Sequence, residues 1–173
     1  MLAIYLQLMD TDEEKDKFTA VYERYRGKMF LAANRILHNH ADSEDAVHEA
    51  FIYILNNLPK IEAVPSPKTE AYCVIIAQSR ALDKYEKLHR QETLQIDEEL
   101  VAKPAEEQST LLTEALDRLP LRFKTIIYLR YYIGYKIREI APMLNMTETA
   151  AQRMLTRAKD ALEEKLEELR HEQ

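Results

Sequence analysis

Thr149, Gln152, Arg153, Thr156 and Arg157 are the side chains best placed by spacing to do chemistry together. That chemistry is hydrogen bonding to a polyanion. All five can donate to phosphates or base edges, and Gln and Arg can do so with two bonds at once. At about 100° per residue they share one side of a helix. Ala151, Leu155, Ala158, Leu162, Leu166 and Leu169 take the opposite side. Just upstream, Arg118, Arg122, Lys124, Arg130, Lys136 and Arg138 form a run without any acid. The formal net charge is −6, but a nucleic-acid footprint depends on local patches rather than the total. Beyond Asp160 the exposed face turns acidic, so contact with a polyanion should stop there.

No catalytic constellation accompanies this patch. A Gly-rich phosphate loop, an HExxH and a GxSxG are all missing from the sequence. The histidines (His38, His40, His48, His89, His171) are scattered, and the single Cys73 has no CxxC or Cys/His context. The chain is therefore expected to be no enzyme and to need no metal or other cofactor.

The elements that must position these residues are short helices between Asp117 and Ala158. Pro120 stands where one helix ends and the next begins, and Gly134 closes the second. Ile137, Ile140, Ala141 and Leu144 give the third an apolar face. Asn145 suits a left-handed turn, and Thr147 suits the cap of the helix that follows. Two short helices across a tight turn make a helix-turn-helix, whose second helix enters the DNA major groove. Helical hairpins are also common packing units, so this spacing alone leaves DNA binding and plain packing both open.

Composition fits an all-α fold. Only two glycines and no tryptophan occur among 173 residues, and 46% of residues are hydrophobic. Met1–Met9 is apolar but too short to cross a bilayer and lacks the basic start of a signal peptide. It should pack as a first turn on the body, with no membrane insertion. Lys17–His38 reads as a helix burying Phe18, Val21, Tyr22, Tyr25, Met29, Ala33, Ile36 and Leu37. Asp42 is the expected cap of a helix over Ser43–Asn57. That helix turns Asp45, His48, Glu49 and Ile52 away from its core face, as either plain surface or a docking patch. Pro59, Pro65 and Pro67 mark a loop. A helix over Thr69–Gln91 should bury Val74, Ile75, Gln78, Ala81, Leu82, Tyr85 and Leu88. Its other side carries Arg80, Lys84, Lys87 and Arg90. That stripe can track phosphates or lie in solvent with its acids as ion pairs. Residues 92–108 are polar and acidic and read as a linker between lobe 1–91 and lobe 109–173. Ser109 is expected to start a helix with Leu111, Leu112, Ala115, Leu116 and Leu119 inward.

The chain resembles the extracytoplasmic-function group of bacterial RNA polymerase sigma factors. FTAVYERYRGKMFLAANRILHNHADSEDAVHEAF, KTEAYCVIIAQSRALDKYEKLHR and EALDRLPLRFKTIIYLRYYIGYKIREIAPMLNMTETAAQRMLTRAKDAL carry the likeness. Their order is that of sigma region two followed by region four, without the domain that separates these in larger sigma factors. The resemblance implies two helical lobes and a cytoplasmic transcription initiation factor. It implies that Asp45, His48, Glu49 and Ile52 dock on the clamp coiled coil of core RNA polymerase. Lys60, Lys68 and Thr69 would receive an unstacked base of the minus-ten promoter element, and Arg80, Lys84 and Lys87 would hold the opened strand. Thr147, Thr149, Gln152, Arg153, Thr156 and Arg157 would serve the minus-thirty-five element, with Arg122, Lys124, Lys136 and Arg138 on flanking phosphates. The acidic linker would thread the RNA path of the polymerase. An anti-sigma factor clamping between the lobes is the usual regulator, and Ile52, Tyr53 or Tyr132 could serve such a partner.

Departures from the family pattern keep a second reading open. Lys136 replaces the usual Ser or Thr cap, Pro142 interrupts the scaffold helix, and Gln152 and Met154 thin the basic pattern. A sigma-like interaction module that holds polymerase or another partner without productive promoter recognition would share all these features.

Overall fold

The computed structural model describes residues 1–89 and 111–172. They fall into two compact units, and the described residues contain helices and turns but no strand. The linker expected over 92–108, with Arg90 and the helix start at Ser109, lies outside the described residues.

In the first lobe, α1 (Leu2–Leu6) precedes α2 (Asp12–Leu37), α3 (His40–Asn56) and α4 (Pro67–Leu88), which pack pairwise around one core. The sequence places the start of α2 five residues late. The reason is a capping box: Thr11 Oγ1 accepts from the Glu14 N–H at 3.2 Å, and Glu14 accepts from the Thr11 N–H at 3.4 Å. The polar first turn has no apolar periodicity to reveal it. The cap of α3 is Asn39, not Asp42. Asn39 Oδ1 accepts the Asp42 N–H at 3.0 Å, which places Asp42 inside the first turn. Tyr5, Phe18, Tyr22 and Phe51 join in an aromatic cluster with centroids 4.9–6.5 Å apart. Burying side chains of this size stabilises by roughly 1.5–3 kcal/mol each. With Tyr5 and Met9 buried, α1 packs on the body as expected.

α4 departs from a simple amphipathic helix. It is covered by both α2 and α3, so Ala71 to Leu82 is buried almost all round, including Tyr72, Cys73, Ser79 and Arg80. Leu88, expected inside, is exposed because the helix outruns its partners. The loop before α4 is held from within. Tyr25 Oη accepts the Ser66 N–H at 3.1 Å, and Thr69 Oγ1 donates to the Ala63 carbonyl at 2.7 Å. The Val64–Pro65 bond is cis.

In the second lobe, α5 (Leu111–Asp117), α6 (Leu121–Ile127) and α7 (Ile137–Met143) pack on the long α8 (Glu148–His171). Leu112, expected inward, is exposed on α5. A π-turn over Tyr128–Ile133 follows α6 directly. It ends at Gly134, whose φ of 91° is comfortable only for glycine; the Tyr135 N–H reaches back to the Leu129 carbonyl at 2.9 Å.

Candidate functional site

The helix-turn-helix is built from α7, its turn and α8. Asn145 sits left-handed at φ 56°. The Asn145 N–H bonds to the Pro142 carbonyl and the Met146 N–H to the Ala141 carbonyl. This pairing is a Schellman closure. Thr147 Oγ1 then accepts the Ala150 N–H at 3.1 Å and starts α8. Thr147 is thereby engaged as a cap, although it remains exposed. Pro142 lies inside α7 on its exposed side, while Ile140, Ala141, Met143 and Leu144 stay buried. Its missing N–H costs one bond near the end of a helix that the turn already closes. Lys136 has no side-chain acceptor to offer, and Glu139 compensates by accepting the Lys136 N–H at 2.8 Å.

Along α8 the separation of faces follows the sequence. Thr149, Gln152, Arg153, Thr156 and Arg157 are all exposed, and Ala151, Leu155 and Ala158 are buried. The Thr156 hydroxyl donates to the Gln152 carbonyl at 3.1 Å, leaving its oxygen as an acceptor. Lys136 and Arg138 are exposed and Arg122 is half-buried. Lys124 is a correction. Only 7% exposed, it is a buried residue of α6 rather than part of the surface open to a flanking phosphate. Arg130, already named in the basic run, and Lys159, which the sequence pattern did not single out, line an open groove with Lys136, Gln152, Thr156 and the acids Asp160 and Glu163. Lys159 follows Gln152 and Thr156 at helical steps, a signal obscured by the acids that begin at Asp160.

In the first lobe, Asp45, Glu49 and Ile52 are exposed on α3. His48 is half-buried and hydrogen-bonds with the Tyr5 hydroxyl, tying it to α1. Burial of that phenol pushes Tyr5 up to about 12. Lys60, Lys68 and Lys87 are exposed, and Lys68 lies 4.0 Å from Glu62. Thr69 and Arg80 are corrections. Thr69 is 5% exposed and spends its hydroxyl on the loop. Arg80 is 7% exposed because α2 and α3 both cover α4, and its guanidinium lies over Tyr53. Lys84 is half-buried and reaches Asp45 at 3.1 Å and Asp42 at 3.5 Å. Burial works against its charge, but the hydrogen bonds and charges of those two acids outweigh it and hold Lys84 above the usual lysine value.

Residues 21–91 match the sigma-70 region 2 model and residues 109–162 the sigma-70 region 4 model. The chain is 34% identical to RNA polymerase sigma factor SigV of Bacillus subtilis, over 69% of this chain and 73% of that one. It is 24% identical to the ECF sigma factor SigW of the same organism, over 90% and 92% of the two chains. With the ECF sigma factor SigX the figures are 26% identity over 91% and 88%. Two lobes of helices, a capped helix-turn-helix and these matches in chain order agree: this chain belongs to the sigma-70 family, in its ECF group, as a promoter-directing transcription initiation factor.

Proposed function

We propose that the two lobes divide the work of initiation between the two promoter elements. The lobe over 1–91 docks on core RNA polymerase and captures the minus-ten element. The lobe over 109–173 reads the minus-thirty-five element, and residues 92–108 join them along the RNA path. The observation that carries this reading is the unbroken exposed face Thr149, Gln152, Arg153, Thr156 and Arg157 on a helix whose start is fixed by Thr147. Arg153 and Arg157 supply base-edge or phosphate contacts, while Lys136, Arg138 and Arg122 take flanking phosphates.

Asp45, Glu49 and Ile52 form the docking strip for polymerase, with His48 set back against α1. Lys60 and Lys68 flank the internally braced loop at the minus-ten element. A braced loop limits the ordering cost of capturing a base, which offsets part of the few kcal/mol that unstacking takes. Lys84 and Lys87 hold the opened strand. Arg80 and Thr69 support this surface from inside, and Lys124 supports the second lobe. Melting by capture requires no chemistry of the chain's own, so the factor acts by binding, in the cytoplasm. Exposed Ile52 and Tyr132 suit an anti-sigma factor competing for these faces. No described helix is long and apolar enough to cross a membrane.

Run-off transcription over a library of promoter fragments, with core polymerase plus and minus the protein, tests the reading. Initiation at a defined subset, lost in Arg153→Ala/Arg157→Ala, is expected. Polymerase binding without any initiation would instead leave only the interaction-module reading.

A further inference from the structure

The docking strip on α3 contains one residue that is held from another helix. Asp45, Glu49 and Ile52 are exposed, whereas His48 is half-buried. Tyr5 of α1 reaches it: the phenol hydroxyl bonds to His48 Nδ1, and the two rings lie 5.4 Å apart. Tyr5 is itself fixed, 2% exposed and packed against Phe18, Tyr22 and Phe51 at 5.3–6.0 Å. Among the described residues, Nδ1 is the only hydrogen-bond partner of its hydroxyl. A buried phenol O–H needs an acceptor, so the hydroxyl donates to Nδ1. A neutral imidazole whose Nδ1 accepts carries its proton on Nε2. That second nitrogen makes no hydrogen bond within the described residues and is open to solvent. We propose that Tyr5 is a positioning residue for polymerase docking: it fixes the His48 ring and its tautomer, so that Nε2–H meets core polymerase as a donor.

The neighbours of His48 give that donor its use. Asp45, His48 and Glu49 follow at steps of three and four residues or adjoin, and so share one face of α3. Both carboxylates can only accept hydrogen bonds. Beside them, Nε2–H lets the strip pair with an oxygen of the partner as well as with its cations. Burial pushes Tyr5 up to about 12, so the phenol keeps the proton that it donates. Holding the ring beforehand removes the ordering cost that a loose side chain meets on binding. Tyr5 also stands ahead of residues 21–91, the stretch that matches the sigma-70 region 2 model. The hold on His48 therefore comes from outside the matched segment. The inference rests on the reading of the α3 strip as the docking face, and deepens it by naming what sets the hydrogen-bond pattern of that face.

Nitrogen NMR of the free full-length protein tests the positioning without any partner. Two-bond couplings within the imidazole are expected to place the His48 proton on Nε2. Tyr5→Phe, which keeps the ring in its aromatic cluster, should release the tautomer to a mixture. A proton on Nδ1 in the unaltered protein overturns the proposal, and so does a spectrum that Tyr5→Phe leaves unchanged. Affinity for core polymerase supplies a second arm, measured as a double-mutant cycle. Tyr5→Phe is expected to weaken binding about two- to tenfold, the cost of ordering one side chain at an interface. In a His48→Ala background the same change should have no further effect. An equal loss in both backgrounds makes Tyr5 a packing residue and overturns the positioning. Unaltered binding in Tyr5→Phe, with His48→Ala weakened, overturns the positioning and leaves the docking face standing. Unaltered binding in His48→Ala removes His48 from the docking face, and the proposal falls with that reading. Should His48→Ala fail to fold, the nitrogen spectrum decides by itself.

Discussion

The Arg80 guanidinium lies 5.2 Å from the centre of the Tyr53 ring, linking α4 to α3 beneath the lobe surface. A cation over an aromatic face contributes about 0.5–2 kcal/mol, more when water is excluded. Arg80→Ala is therefore expected to destabilise the first lobe by roughly 2–3 kcal/mol, since the buried stem is lost as well. Urea unfolding of the full chain checks this. A variant with unchanged stability but weakened minus-ten binding would return Arg80 to the DNA surface.

Thr147→Ala should cost about 1 kcal/mol, the usual value of a lost helix cap. Its hydroxyl accepts the Ala150 N–H and so caps the start of α8. The substitution frays the first turn of α8, where Thr149 stands. Thermal unfolding and minus-thirty-five binding should fall together, whereas a pure DNA contact would alter binding alone.

Pro142→Ala is expected to stabilise the second lobe by roughly 2 kcal/mol. A proline inside a helix costs about 3 kcal/mol, and its restriction of the unfolded chain recovers about 0.4–1. The exposed position leaves room for the alanine without strain. A lowered melting temperature would show that the ring itself helps to set the turn.

Arg153→Ala and Arg157→Ala should each weaken promoter binding by holoenzyme by about 1–3 kcal/mol if the side chain meets a base edge. If it meets a phosphate, the salt slope should instead fall by about 0.9 without a change in sequence preference. Comparing matched and altered minus-thirty-five elements at several salt concentrations separates the two.

Tyr5 gives a pH signature. Burial raises its pKa from 10.0 to about 12, so the folded state favours the neutral phenol. Its contribution is complete below pH 10, where the phenol is neutral in both folded and unfolded chains. It is lost as pH rises from 10 through 12, because the unfolded chain ionises first. Alkaline unfolding followed by circular dichroism should show this loss, and Tyr5→Phe should flatten it while removing the hydrogen bond to His48.

Features set by backbone chemistry were legible in the sequence. Gly134, Asn145 and Thr147 each stand where their own conformational or capping preference dictates. The exposed face of α8 was legible because that helix has one apolar side. α4 has two covered sides, and there a charged residue no longer signals solvent. That is why Arg80 and Thr69 were read as surface residues. Lys124 was misread for a related reason, since a lysine between Phe123 and Thr125 carries no sequence mark of burial. The start of α3 was misread by one turn because Asn39 and Asp42 are equally good caps by type.

The π-turn at Tyr128–Ile133 amounts to one residue more than an α-helix needs over that stretch. Deleting a single residue there would let α6 run on as a regular helix, without breaking its hydrogen-bond ladder. The wider turn absorbs the extra residue, so a deletion there would leave the residues after it at nearly the same azimuth. Tyr128–Ile133 is thus the stretch of this lobe that can take up a change of chain length, whereas the same deletion inside α8 would rotate every later residue by about 100°.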